Sequence, residues 1–302
     1  MGISELPEMK DIDGGDVFTI VDHMVYRNGV QIPYLPHEKR AGRATIEPKY
    51  FVYHYTAGRY GIDGVTAFLR DKDTQADVHL ILDTGGRVVQ LAPLNEKCWH
   101  AGRSAYEGYT GLNSYSCGIE VINPGPLDII SPGVYKTWYG DVYFNSLIIN
   151  TKALRDRGYR ERVDIVESTH NLYPNEPIKG WIPYSKEQIN VMIGLTKTIN
   201  ATYGSKLVGH DEITSRKRDP GPLSQIDRIR GIIASRDDDK ADVEEEVTII
   251  QDAPIRRVFH IDTQGAADQP TNSTILHPRE LPPLNSGRTL GGFFQRWFKP
   301  KR

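Results

Sequence analysis

The clearest pattern in the chain begins at Tyr50. The stretch "YFVYHYT" alternates aromatic and β-branched positions as a strand does, with Val52 and His54 on one face and Phe51, Tyr53 and Tyr55 on the other. "IDGVTAFLRDK" follows with helical spacing: Val65, Phe68 and Leu69 form an apolar stripe, and Asp63 is placed to cap it. "VHLIL-DTGG-RVVQLA" predicts a hairpin turning at Gly85 and Gly86. "SCGIEVI" predicts a further strand, apolar except for Glu120 in its middle. Ser185 and Gln188 have the spacing of a capping box, Ile189, Met192, Ile193, Ile199 and Tyr203 repeat on one face after it, and Gly204 ends that helix. "KLVGH" predicts a short last strand, and "SQIDRIRGIIAS" a closing helix with Ile226, Ile229 and Ile233 on one side.

Elsewhere the periodicity fades. "MVYRNGVQIPYL" predicts a small hairpin turning at Asn28-Gly29, within an N-terminal extension of residues 1–45. Residues 123–180 carry Gly, Pro and Tyr without a period and predict irregular structure with short elements. Residues 46–235 are expected to form the main domain. At Arg236 the composition changes to the acidic "DDDKADVEEE", a solvated linker in pattern. The tail 236–302 ends in "RTLGGFFQRWFKPKR", basic and aromatic, which is either a segment suited to an anionic envelope surface or a disordered tail.

Bulk composition narrows the function classes. The 302 residues carry a net charge of −2, which makes no global case for a nucleic-acid partner. Cys98 and Cys117 are the only two cysteines, too few for a disulfide framework or a four-cysteine zinc site. No run approaches the ~20 apolar residues of a membrane span. "MGISELPEMKDIDGGD" lacks the basic and apolar regions of a signal peptide, so synthesis in the cytoplasm without export by that route is expected.

Against that background a few polar residues stand out. His54 lies mid-strand among apolar neighbours, where a buried imidazole is either a satisfied core residue or a ligand. His210 ends another strand, and strand ends are where sites collect. Asp219 follows in "RKRDPGP", where basic neighbours favour its ionised form. Two imidazoles and a carboxylate with a fourth position open would form a catalytic zinc shell, although the spacing is not one of the short zinc motifs. Glu120, a carboxylate in an apolar strand, is either a salt-bridged structural group or a general base. Lys217 is either a solvated loop lysine or a cation for an oxyanion.

Five segments in order, "YHYTAG", "CWHAGRSAYEG", "SYSCGIEVINPGP", "GWIPYSKEQ" and "VGHDEITSRKRDPGP", resemble the zinc-dependent N-acetylmuramoyl-L-alanine amidases of the amidase-2 type over roughly residues 46 to 233. That group includes phage endolysins, the anhydro-muropeptide amidase of cell-wall recycling and the peptidoglycan recognition proteins. The resemblance implies an α/β fold, with a central mixed β-sheet flanked by helices and a Zn2+ site in a surface groove. It implies hydrolysis of the amide between N-acetylmuramic acid and L-alanine of peptidoglycan, as a lytic enzyme acting on the cell wall or a cytoplasmic recycling enzyme. A peptidoglycan-binding protein without catalysis is the remaining alternative. The metal-ligand positions of the family match His54, His210 and Asp219, the base position Glu120 and the oxyanion-side cation Lys217. His100 and Ala101 match the substrate-groove segment, with Trp99, Arg103 and Asn113 nearby in sequence. Two departures stand out: "ITSRKRD" is shorter than the usual loop before the aspartate, which bears on Lys217. Val78 also stands where some phage members have Tyr, so proton transfer falls to Glu120 and His79 is expected to be structural.

Overall fold

The computed structural model describes residues 16–37, 43–59, 61–144, 160–161 and 165–235. The expectations for the acidic linker and the basic aromatic tail lie outside the described residues. The described residues divide into two compact units, one built from those up to Asn123 and from 184 to 235, the other containing those within Pro124–Pro183.

The first unit is organised by a five-stranded sheet. Its strands are β4 (Tyr50–Tyr55), β5 (Leu80–Leu82), β6 (Val88–Gln90), β9 (Ser116–Val121) and β16 (Lys206–Gly209), in the order β16-β4-β9-β5-β6. The first four in that order run parallel, and β6 pairs antiparallel with β5 as the edge. The alternation in β4 sorts its side chains. Phe51 and Tyr53 enter the main core with Leu80, Leu82, Cys117, Ile119, Val121 and Leu207. Tyr50 and Val52 face the other side with Val208, Ala101 and Leu112. The sheet is therefore buried on both faces, the usual state of parallel strands.

Helices cover those faces. α2 (Lys186–Tyr203) adds Ile189, Met192, Ile193, Leu195 and Ile199 to the main core, and α4 (Ile226–Ala234) adds Ile229. The capping box of α2 is present: Ser185 Oγ accepts from the Gln188 N–H, and Gln188 Oε1 accepts from the Ser185 N–H. Gly204 closes that helix in the left-handed conformation. α1 (Ile62–Arg70) packs Ile62, Val65 and Leu69 against Ile81 and Val89 on the opposite face. Its cap differs from expectation. Gly61 is the N-cap residue with no side-chain cap, while Asp63 lies inside the first turn and pairs with Arg87. Two residues past the cap position, the Asp63 carboxylate still favours the positive N-terminal end.

A three-stranded meander, β1 (Phe18–Val21), β2 (Met24–Arg27) and β3 (Val30–Gln31), packs Phe18, Val25 and Ile32 into the main core. Its second turn has Asn28 and Gly29 at φ 54° and 79°, the left-handed pair expected of an Asn-Gly hairpin. A small ribbon of β7 (Ala105–Tyr106) and β8 (Tyr109–Thr110) precedes β9.

In the second unit, β10 (Asp128–Ser131), β11 (Val134–Lys136), β12 (Val142–Phe144) and β13 (Arg160–Glu161) form one sheet in that order. β14 (Val166–Ser168) and β15 (Lys179–Trp181) pair as a ribbon. Leu127, Tyr135, Tyr143, Ile165 and Ile182 make its core. Strands of two to four residues are too short to leave a readable period, which is why the segment shows only short elements in sequence.

Candidate metal centre

Parallel pairing gathers the singled-out residues at one end of the sheet. His54 is directly opposite Glu120 across the β4–β9 pair. Gly209 is opposite Tyr53, so His210, the next residue, emerges level with His54. This is the carboxyl end of the parallel strands, where loops rather than neighbouring strands surround the side chains. His210 opens α3 (His210–Ile213), a single turn in place of the simple strand end expected. That turn is clamped: Glu212 Oε2 accepts from the Gly209 N–H, and Arg230 of α4 donates to both Glu212 and the Leu207 carbonyl. The returning loop is tied by the Asp211 N–H to the Asp219 carbonyl at 2.8 Å and by the Tyr184 hydroxyl to the Pro220 carbonyl at 2.8 Å.

Three donor atoms converge there. His54 Nδ1 and His210 Nδ1 are 2.9 Å apart, and Asp219 Oδ2 is 2.9 Å from the first and 2.7 Å from the second. All three residues are buried, with exposures of 1%, 3% and 5%. Burial, then the neighbouring His210, lowers the His54 pKa to about 4, so His54 is neutral near pH 7. Burial opposes ionisation of Asp219, but the interactions with His210 and His54 outweigh it and hold its carboxyl well below the usual range.

Glu120 is 9% exposed, and its Oε2 has no hydrogen-bond partner among the described residues. Burial, reinforced by the charge of Asp219, pushes its pKa well above the ordinary value, against the opposing field of Lys217. Lys217, half-buried, is thus close enough for its charge to act on Glu120, and it also acts on His54.

The segment 99–113 divides by role. The His100 ring is buried, and its Nδ1 is 3.0 Å from His54 Nε2. Asn113 Oδ1 accepts from the backbone N–H groups of His100 and Ala101, which ties that loop to the short 3-10 turn Leu112–Ser114. Ala101 is buried beside Val52 and Val208. Trp99 is 47% exposed, with the Arg43 guanidinium 5.5 Å and the Lys97 ammonium 5.8 Å from its ring centre. Arg43 is held by a buried pair with Asp77, which also accepts from the Trp99 N–H. Arg103 is exposed, and its carbonyl accepts from Arg216. His79 is not among the converging donors: its Nδ1 accepts from the Gly118 N–H at 3.0 Å, and its Nε2 donates to the Glu96 carbonyl at 2.7 Å.

Sequence reasoning did not find the contact of His100 with His54, the Arg230–Glu212 clamp, or the part played by Gly118. Gly118 had a signal. Glycine weakens a strand interior and marks close approach of another group. A Cβ there would lie 2.6 Å from His100 Nδ1.

The residues fit a metal. Two imidazole nitrogens and a carboxylate oxygen, within hydrogen-bond distance of one another in a buried site, are the ligand set of divalent ions such as zinc. Three protein donors leave a coordination position for substrate or water. Among the described residues this is the one His/Cys/Asp/Glu cluster able to hold a metal ion.

Comparison with known proteins agrees with this geometry. Residues 43–222 match the Amidase_2 family model, described as N-acetylmuramoyl-L-alanine amidase. The chain is 29% identical over 211 residues to the N-acetylmuramoyl-L-alanine amidase AmiD of Escherichia coli, covering 66% of this chain and 57% of AmiD. It is 24% identical over 164 residues to the 1,6-anhydro-N-acetylmuramyl-L-alanine amidase AmpD of Salmonella typhimurium, covering 53% and 58%. The match thus spans less than two thirds of the length of these relatives. Among solved structures, it is similar to E. coli AmiD in complex with the substrate anhydro-N-acetylmuramic acid-L-Ala-D-gamma-Glu-L-Lys, at 28% identity and a TM-score of 0.40, over 72% of this chain and 66% of that one. With its match to the family model running from the loop before β4 to the turn after Asp219, the chain belongs to the Amidase_2 family of N-acetylmuramoyl-L-alanine amidases.

Proposed function

We propose that this chain is a zinc-dependent amidase that hydrolyses the bond between N-acetylmuramic acid and L-alanine in peptidoglycan or its fragments. The observation that carries the reading is the convergence of three metal-ligand atoms beside a buried carboxylate, Glu120, whose Oε2 is unpartnered among the described residues and which lies on the adjacent strand at the same register as His54. His54, His210 and Asp219 would hold the ion. When bound, zinc supplies a Lewis acid that polarises a carbonyl and lowers the pKa of water. Glu120 takes the proton of the attacking water and returns it to the departing amine of L-alanine. Its raised pKa suits both halves of that task, because a base poised nearer neutrality also makes a competent acid. The Lys217 ammonium stabilises the negative charge that develops on the scissile carbonyl oxygen. Trp99, next in sequence to His100, offers an exposed ring to the substrate, and Arg103 offers an exposed cation.

The full set of ligands and base weighs against a purely binding role. The name of the Salmonella relative favours a second reading of the substrate, soluble anhydro-muropeptides instead of intact wall. Among the described residues no helix is long and apolar enough to cross a membrane. The basic aromatic end, residues 288–302, is proposed to lie on an anionic envelope surface. Mass spectrometry of digests tests these readings together, using sacculi and soluble anhydro-muropeptides, with chelator and after zinc is restored. Zinc-restored release of free lactyl ends from either substrate supports the amidase, and the substrate cleaved assigns the role. Cleavage that persists without metal, or at any other bond, overturns it.

A further inference from the structure

His54 meets the cluster through Nδ1, and its other ring nitrogen is occupied. Nε2 is 3.0 Å from His100 Nδ1. What that contact means depends on where the single proton of a neutral His100 ring lies. His100 Nε2 is 3.3 Å from the Ser116 carbonyl oxygen and 3.3 Å from Ser116 Oγ. A carbonyl only accepts. The Ser116 hydroxyl spends its own proton on the Leu112 carbonyl at 2.6 Å, so its oxygen can only accept from His100. Both partners of His100 Nε2 are acceptors, and that nitrogen carries the proton. Its Nδ1 is then a bare lone pair, and the 3.0 Å contact is a hydrogen bond only if His54 Nε2–H donates it. His54 Nδ1 is also 2.9 Å from Asp219 Oδ2, an acceptor that competes for the same proton, but Asp219 can accept instead from His210 Nδ1 at 2.7 Å. With the His54 proton on Nε2, its Nδ1 is a lone pair aimed at the metal cluster.

The ring that sets this chain of donors is itself fixed on three sides. Gly118 leaves the space it fills, since a Cβ there would stand 2.6 Å from Nδ1 and 2.8 Å from Cε1. The His79 ring stands edge-on at 5.5 Å between centres and is anchored at both nitrogens. Asn113 holds the backbone of the loop that carries His100. His210 has no such partner: its Nε2 makes no hydrogen bond among the described residues.

We propose that His100 is a positioning residue that locks His54 in the Nε2-protonated tautomer, so that His54 Nδ1 is held ready as a metal ligand before any ion arrives. The inference builds on the metal reading above, but its first consequence is a property of the metal-free protein. In metal-free wild-type protein, ¹H–¹⁵N correlation of the imidazole rings is expected to show His54 protonated at Nε2 and bare at Nδ1. Zinc affinity from competition with a chromophoric chelator is expected to fall about 10- to 100-fold in His100→Ala. His100→Asn, whose Oδ1 can stand where Nδ1 stood and accept from His54 Nε2–H, is expected to recover most of that loss. A general packing defect would not sort the variants by acceptor. A His54 ring protonated at Nδ1 in the wild type overturns the proposal, and this measurement needs no variant to fold. So does zinc affinity in His100→Ala equal to wild type, or equally poor affinity in His100→Ala and His100→Asn. A wild-type protein with the expected tautomer that takes up no zinc supports the lock and overturns the metal reading instead.

Discussion

Replacing Glu120 by Gln separates what the carboxylate does for catalysis from what it does to stability. Gln keeps the shape of the side chain and loses the ionisation. Glu120 is buried, its Oε2 is unpartnered among the described residues, and burial with the nearby Asp219 charge raises its pKa well above the usual value. A carboxyl whose folded pKa is raised adds stability while protonated, fully so below its unfolded pKa of ~4.3. That contribution declines as pH rises above this value and is gone once pH passes the folded pKa. The Gln variant, neutral throughout, does not lose it. Leaving a buried polar group unsatisfied costs about 1–3 kcal/mol, and Gln still buries a polar atom, so the gain from removing the charge is set near the low end, about 1 kcal/mol. For a protein of this size that corresponds to roughly 2–4 °C in Tm. Scanning calorimetry of the metal-free proteins should therefore show matching Tm values near pH 4.5 and a higher Tm for Glu120→Gln at pH 8. Turnover of muropeptide by the zinc-loaded variant should fall ~10²-fold or more while bound zinc is unchanged. A Gln variant that is less stable at pH 8 than the wild type, or that keeps near-normal turnover, refutes the picture of a buried, unpaired base.

Three further outcomes follow from the same structure. Lys217→Ala should lower kcat about 10²- to 10³-fold with zinc content intact by atomic absorption, because a charge aimed at a developing oxyanion acts in the transition state more than in binding. Gly118→Ala should weaken zinc affinity in chelator competition, since the new methyl would sit 2.6 Å from His100 Nδ1 and force that ring away from His54. Ser185→Ala removes the Oγ that accepts from the Gln188 N–H and should lower stability by ~1 kcal/mol in denaturant unfolding, with catalysis unaffected.

Local pattern revealed the pieces better than their meeting. The alternation of "YFVYHYT", the Ser185–Gln188 box and the Asn28-Gly29 turn each depend on neighbours a few residues apart, and each is present as expected. The Asp63 cap failed because Asp63 and Gly61 stand two residues apart, and sequence patterns place a helix boundary no better than that. That His54 faces Glu120, 66 positions later, is set by parallel strand pairing, which no periodicity encodes. The resemblance to a known family supplied that link where the residue pattern could not. The resemblance matches His100 to the substrate-groove segment but says nothing of its ring, which is buried with Nδ1 3.0 Å from His54 Nε2. A motif fixes which residues occur together; it does not fix which way a ring points.

Strand parity explains why so polar a cluster is tolerated inside a buried sheet. β9 reads as almost uniformly apolar, yet its odd positions, Cys117, Ile119 and Val121, all enter the main core. Its even positions carry Ser116, Gly118 and Glu120, each of which serves the site: an acceptor for His100, a space for its ring, and the unpartnered carboxylate. β4 follows the same division, with Phe51 and Tyr53 in the core and His54 on the other side. Shifting either strand by one residue would exchange the two sets, burying Glu120 among Leu and Ile and turning Ile119 toward the candidate metal cluster. The large apolar side chains on one face therefore hold the register that the polar face needs. The hydrophobic core and the metal centre are two readings of the same alternation, and a substitution that loosens the core at Phe51 or Ile119 acts on the site through that register.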